Sequence, residues 1–253
     1  MMGARPEAVS YHNVIVQKPW GYEYLMFENG VVALWYLFIK PGARTSLHCH
    51  PRKKTGLILL AGEAEVSFLN GSQIIRPLSK VMMREGLFHS TAANSSEGIV
   101  VLETETPCDK EDLVRLEDTY GRQEQPYESS GAVIPFTEQC LQFQEPEKGQ
   151  QRQYTLCGCT LRVERPVDHS VLFDRPPGQI IVVLSGGLMS RTEDVVLGPG
   201  DVVSSETVHR LAKTFSAPHG ISLLTIQKTG QGSVDAPRES PKASGGLMDE
   251  RSR

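Results

Sequence analysis

The sequence predicts a mainly β protein built as two tandem antiparallel barrels of the jelly-roll kind. Three observations carry that prediction. Apolar runs of strand length recur about every 8–12 residues between Gly, Pro and Asn turns, as in all-β sandwiches and barrels. Val, Ile and Gly-Pro turns favour strand over helix. The chain also repeats itself: LILLAGEAEV (57–66) matches IIVVLSGGLM (180–189), REGLFHS (84–90) matches SETVHR (205–210), and SEGIVVLETET (96–106) matches PHGISLLTIQKT (218–229).

Bulk properties narrow the function. The 253 residues leave room for one large or two small domains. A formal charge of −4 is too close to neutral to point to a nucleic acid or a membrane as partner. No apolar run approaches the roughly 18 residues that span a bilayer. MMGARPEAVS lacks the apolar segment of a signal peptide, so a cytoplasmic location is expected. The five cysteines are odd in number. Cys157 and Cys159 form a C-x-C without the second pair that a tetrahedral thiolate site needs, and free thiols suit a reducing compartment.

Taken in order, residues 1–13 read as a loosely held leader. A strand starts at Trp20-Gly21 and ends in the Asn29-Gly30 turn. VVALWYLFIK (31–40) is apolar on both alternations, as in a strand with protein on both faces. Pro41-Gly42 turns the chain into the stretch with His48 and His50, and LILLAG (57–62) is a buried strand closed by Gly62. Ala64, Val66 and Phe68 then point inward, with Asn70-Gly71 marking a hairpin. SQIIRPLSKVMMREGLFHS (72–90) returns to His89. EGIVVLETET (97–106) is a strand whose Glu103 and Glu105 share a face. CDKEDLVRLEDTYGR (108–122) reads as a helix starting near Asp109. Residues 14–122 thus form one domain. Residues 123–153, polar and rich in Pro and Gln, read as a linker and docking segment. Residues 154–229 form the second domain, and 230–253 read as a disordered tail.

The chemistry centres on PGARTSLHCHPRKKTGLILLAG (41–62). His48 and His50 are two residues apart, so on a strand they share a face about 7 Å apart at the backbone, and Cys49 faces away. Gly86-x2-His89 supplies a third imidazole. Three histidines from neighbouring strands suit a divalent metal such as Zn, Mn, Fe, Ni or Co. Arg44, Arg52, Lys53, Lys54 and Arg84 are cations expected near the barrel mouth, where a phosphate would suit them. Arg44, Lys54 and Arg84 are the expected substrate contacts. Glu103, Glu105 and Lys53 are the expected catalytic groups, with either glutamate as a fourth ligand or a base.

The second repeat serves as a control. Counting back from Gly186 as from Gly62 puts Leu172, Asp174 and Gln179 at the positions of His48, His50 and Thr55, while His209 alone matches His89. One imidazole does not hold a metal. The second barrel is expected to be metal-free and to serve packing or dimerisation, which leaves a homodimer open.

Gly42-x5-His48-x-His50 with Gly62, and Gly86-x2-His89, resemble the two cupin motifs, and Gly198-Pro-Gly-Asp201 resembles the turn before the second of them. The chain is similar to a bicupin. Over residues 17–122 it resembles the cupin domain of type II phosphomannose isomerases: Lys18-Pro19-Trp20-Gly21 opens it, Lys40-Pro41-Gly42 and Ser46-Leu47 precede the metal strand, and Asp112-Leu-Val-Arg115-Leu-Glu117-Asp118-Thr-Tyr120-Gly121-Arg122 closes it. Members of that family usually carry Gln where this chain has His48, Glu where it has Thr55, Arg where it has Lys53 and Ser90, and Pro where it has Arg84. The resemblance implies a metal cage with altered ligands, acting on a sugar phosphate or nucleotide sugar as an isomerase or epimerase. Two other readings stay open: a non-catalytic sugar-binding or regulatory bicupin, and a three-histidine Fe(II) dioxygenase.

Overall fold

The structure, a computed structural model, describes residues 11–123, 127 and 132–230. Most of the expected leader and nearly all of the expected tail therefore lie outside the described residues. Strand order follows the turns. After β1 (Val14–Lys18), β2 (Gly21–Glu28) and β3 (Ala33–Ile39) form a hairpin around Asn29. Its Oδ1 accepts from the N–H groups of Val31 and Val32 at 3.1 and 2.9 Å. Then come β4 (Leu47–Cys49), β5 (Lys54–Ala61), β6 (Ala64–Phe68), β7 (Gly71–Ile75), β8 (Lys80–Met83), β9 (His89–Ala93), β10 (Ile99–Thr106), β11 (Val114–Glu117) and β12 (Val133–Pro135). The second half holds β13 (Gln150–Leu156), β14 (Cys159–Arg165), β15 (Ile180–Gly186), β16 (Leu188–Met189), β17 (Val195–Leu197), β18 (Val202–Ser204), helix α1 (Ser205–Ala212) and β19 (Ile221–Lys228).

In the first barrel a seven-stranded sheet, β12-β1-β2-β3-β10-β5-β8, faces a five-stranded one, β11-β4-β9-β6-β7. Trp35, Leu37, Leu57, Leu59, Val66 and Val101 share the core between them. The outer face of the large sheet is buried too. Met26, Leu34, Ile58, Leu60 and Leu102 belong to one cluster with Leu161, Val163, Val182, Leu224 and Ile226 of the second half's sheet, β13-β14-β19-β15-β18. This layer explains the apolar residues on both alternations of 31–40 and 57–61. Each such side chain withdrawn from water stabilises the fold by about 1.5–3 kcal/mol.

The repeat holds in geometry. β15 pairs antiparallel with β19 as β5 pairs with β10. Gly62 and Gly186 both adopt left-handed backbone, with φ +83° and +64°. At each a Cβ would strike a glycine carbonyl oxygen, that of Gly98 at 2.6 Å or of Gly220 at 2.1 Å. The second half differs in what closes it. Beside its main sheet, the described residues offer only the β16-β17 hairpin, a 3-10 turn at His169–Leu172 and α1. Leu172, Val208 and Ala212 of the latter two pack against Ile181, Val183 and Leu223.

Three expectations change. No helix starts near Asp109: Asp112 accepts backbone N–H bonds from Arg52 and Lys53, and the chain continues as β11 paired with β4. Side-chain bonding of this kind competes with a helical backbone. SETVHR, which the repeat sets against REGLFHS, is a helix. Ser204 caps it, accepting from Thr207 N–H at 3.3 Å, with Glu206 in its first turn. The segment 123–153, expected as a linker and docking segment, also carries strands: β12 pairs with β1, Phe143 N–H donates to Met26 O at 2.8 Å, and β13 begins at Gln150. The five cysteines are free. Among the described residues no helix is long and apolar enough to cross a membrane.

Candidate metal centre

β4 and β9 pair directly at His48 and His89, and His50 follows one residue beyond the end of β4. The three rings have centroids 5.0 Å (48–50), 4.5 Å (48–89) and 5.7 Å (50–89) apart. One ligand nitrogen from each lies within 4.8 Å of the others. Each Nδ1 meets a backbone carbonyl, Ser46 O at 2.8 Å, Asp112 O at 2.6 Å and Leu87 O at 3.0 Å respectively for His48, His50 and His89. A carbonyl only accepts, so all three Nδ1 atoms carry the proton and all three Nε2 atoms keep a lone pair. Burial, first among the causes, pushes all three imidazoles below their ordinary pKa, His50 to about 3, and so keeps them neutral. His50 Nε2 is buried without a protein partner among the described residues. Neutral imidazoles with pinned Nδ1–H groups and a common Nε2 locus fit a divalent metal of the nitrogen-preferring kind.

The loop that replaced the expected helix holds this arrangement. Asp112 uses its carbonyl for His50 and its carboxylate for the Arg52 and Lys53 N–H groups at 2.8 and 3.0 Å and for Arg52 Nε at 3.1 Å. Burial works to raise that carboxyl, but these donors outweigh it and hold it below its ordinary range.

Beside the histidines lies a small cavity of about 60 Å³. Glu103 and Glu105 of β10 both line it, as does Lys53, which is 1% exposed. Lys53 Nζ sits 3.1 Å from Glu105 Oε1 and donates to Asp109 O at 2.9 Å. Lys110 Nζ reaches the same Glu105 oxygen at 2.8 Å and Glu23 Oε1 at 3.4 Å, over the Trp35 ring at 3.6 Å. Tyr127 donates to Glu23, and Lys18 Nζ lies 3.6 Å from the centre of the Tyr127 ring. The two glutamates differ as a result. Burial raises Glu103 to about 7 against the pull of Lys110. Burial would raise Glu105 as well, yet Lys110 and Lys53 outweigh it and hold it down to about 2.

Three expected substrate contacts stand elsewhere. Arg44 and Arg84 are exposed and outside this cavity. Lys54 Nζ is 2.6 Å from Asp201 Oδ1 in the second half, because adjacent strand residues face opposite sides and Lys53 takes the inward one. Thr55 is buried, with Oγ1 lacking a protein partner among the described residues, and Ser90 Oγ donates to Thr45 O at 2.9 Å. The cations on the cavity wall are instead Lys18, Lys53, Lys110, Arg115 and Arg122. Arg115 and Arg122 belong to the closing motif of 112–122, which carried the resemblance without marking them as site residues.

No family model matches this chain. It is 24% identical over 127 residues to the alginate biosynthesis protein AlgA of Pseudomonas aeruginosa, an overlap that covers 49% of this chain and 26% of that protein. The chain thus spans about a quarter of that relative's length. Among solved structures it is similar to KdgF from Halomonas sp., with 15% identity, TM-score 0.36, and coverage of 39% of this chain and 90% of that one. It is also similar to an RmlC-like cupin from Shewanella frigidimarina, with 14% identity, TM-score 0.36, and coverage of 42% and 95%. What the chain shows by itself is a jelly-roll barrel whose short facing strands gather three histidines at one end of a buried ionic cavity.

Proposed function

We propose that the first barrel is a metal-dependent sugar site that moves a proton beside the carbonyl of a sugar phosphate or nucleotide sugar, to the adjacent carbon as an isomerase does or back to the same carbon from the other face as an epimerase does. One observation carries the reading: three Nε2 lone pairs converge beside two carboxyls of opposite protonation habit. His48, His50 and His89 would hold a divalent ion, which would supply Lewis-acid polarisation of a substrate carbonyl. Glu103 is the proton shuttle. For an isomerisation, a carboxyl near pKa 7 takes the proton from the carbon beside the carbonyl and returns it to the former carbonyl carbon, while the hydroxyl proton of the first carbon passes to the former carbonyl oxygen. Glu105 stays ionised and positions Lys53 and Lys110. Arg115 and Arg122 give the wall guanidinium groups, whose planar donors suit phosphate oxygens. The relative named for alginate biosynthesis supports a sugar-type ligand.

A second reading, a sugar-binding protein without turnover, is favoured by Thr55. It stands opposite Glu105 where the resembled isomerases carry a carboxylate ligand, and it brings none. Metal content by mass spectrometry on untagged protein, beside His50→Ala, tests the proposal. About one equivalent of metal, lost in the variant, is the expected result. Iron together with oxygen uptake would move the assignment to a dioxygenase. Metal with no proton exchange into any sugar phosphate would favour the binding protein. Metal in neither protein would sink both enzyme readings.

A further inference from the structure

The second half holds a cavity of its own, at the place corresponding to the metal centre. Thr55 pairs with Glu105 in the first half. Ile180 pairs with Ile226, so the next step of that register sets Gln179 opposite Gln227, and the two amides share a hydrogen bond of 2.5 Å. Arg162 and Glu164 of β14, and Asp174 and Arg175 from the loop before β15, line the same space, about 610 Å³ and open to solvent.

Its polar groups are incompletely matched. The Arg175 side chain is 7% exposed, and its Nη1 pairs with Glu164. Arg175 Nε and Nη2 are buried and meet no protein acceptor among the described residues. Those two atoms form the side-on edge of the guanidinium, a pair of parallel N–H donors that fits two oxygens of a carboxylate or phosphate. Arg162 donates from Nη2 to Gln153 Oε1 at 3.3 Å, and its buried Nε likewise lacks an acceptor. Gln179, 5% exposed, gives its amide N–H to Gln227 and keeps a buried Oε1 that accepts nothing. Buried donors and acceptors are nearly always matched, so a cluster of unmatched ones around a cavity points to a ligand. Glu164 and Asp174 offset the two guanidinium charges overall, so it is the unmatched Nε–Nη2 edge of Arg175, which fits a pair of anionic oxygens, that makes the ligand an anion. The Gln179 acceptor calls for a hydroxyl on it.

We infer that the second barrel binds a small hydroxylated anion, its acid group on the free edge of Arg175 beside Arg162 and its hydroxyl donating to Gln179. A sugar acid and a sugar phosphate present the same chemistry to this fork. The inference does not rest on the metal site. Both tryptophans, Trp20 and Trp35, lie in the first half, so their fluorescence reports on that barrel and arginine signals are needed for this one.

The test titrates the full chain, labelled with nitrogen-15 at arginine, with D-gluconate and separately with glycerol 3-phosphate, using glycerol as the neutral control. Saturable shifts of the Arg162 and Arg175 Nε–H signals are expected with at least one acid, retained in His50→Ala, and absent with glycerol. Response to gluconate alone assigns a carboxylate, and response to glycerol 3-phosphate alone assigns a phosphate. Arg175→Lys keeps a charge for Glu164, removes the fork, and should weaken binding about tenfold or more. Gln179→Leu leaves the Arg175–Glu164 pair intact and should also weaken binding, which covers the case of an unfolded Arg175→Lys. No saturable shift with either acid overturns the inference. So does binding that both cavity variants leave unchanged, or that His50→Ala abolishes.

Discussion

The two halves share a strand-pairing scheme and differ in what stands opposite the main sheet of each. In the first, β4 and β9 run side by side and bring His48 against His89, with His50 one step beyond. In the second, the corresponding stretches are a 3-10 turn and helix α1. His209, the one imidazole that the repeat preserves, is on that helix and donates from Nδ1 to Phe173 O at 2.9 Å. The second half therefore did not simply exchange ligands for other side chains. It lacks the strand pair that would aim them. A metal centre in this fold requires the facing sheet, whereas the Gln179–Gln227 position needs only β15 and β19 and survives in both halves.

The sharpest way to break this comparison is to separate the barrels. Leu102→Asp places an uncompensated carboxylate in the apolar layer between them and should cost about 3–5 kcal/mol. Hydrogen exchange at β15 and β19 should rise together with loss of Trp20 and Trp35 fluorescence in urea. Unchanged protection of β15 and β19 would show two independently stable units. A smaller change sharpens the contrast between the two interiors. Glu103 has a folded pKa of about 7, above its ordinary 4.5, so its contribution to stability is present below pH 4.5 and lost as pH rises through 7. Glu103→Gln removes that loss. It should make the protein more stable than wild type by on the order of 1–3 kcal/mol at pH 8 while lowering any isomerase rate about 10²–10⁴-fold. Urea midpoints across pH check the first part, and a parallel pH trend in both proteins would remove Glu103 from the role. The smallest effect is expected at the rim. Lys54→Ala breaks a partly exposed ion pair with Asp201 and should cost about 0.2–1 kcal/mol, less in high salt. A larger loss would make charge, rather than the apolar layer, the main tie between the halves.

The strands and the three histidines were legible in the sequence because their signals are local. An H-x-H on a strand, a Gly-framed turn and an alternation of apolar residues need no knowledge of distant partners. The cavity wall was not legible for the opposite reason. Lys110 is fixed by Glu23 as well as by nearby Glu105, and Asp112 by Arg52 and Lys53, so each depends on a segment far away in sequence. Those contacts turn the acidic, helix-like 108–113 into a clamp. Arg44 and Arg84 had the right charge near the right strands, but nothing in their spacing tells which side of the barrel wall each side chain takes. At 205–210 the local signal was present, a Ser cap followed by an acidic first turn, and the likeness to 84–90 masked it.

The strand β10 alternates between two duties. Glu103 and Glu105 line the cavity, while Leu102 packs against the second half and Thr104 Oγ1 donates to Gly200 O at 3.3 Å. For protein engineering this ties the two halves through one strand. A fragment cut before Gln150 would present Met26, Leu34, Ile58, Leu60 and Leu102 to water as one sticky plate. The strand that carries its two carboxylates would then lose its backing, so trimming the chain toward the first barrel alone would remove the support of the residues it meant to keep.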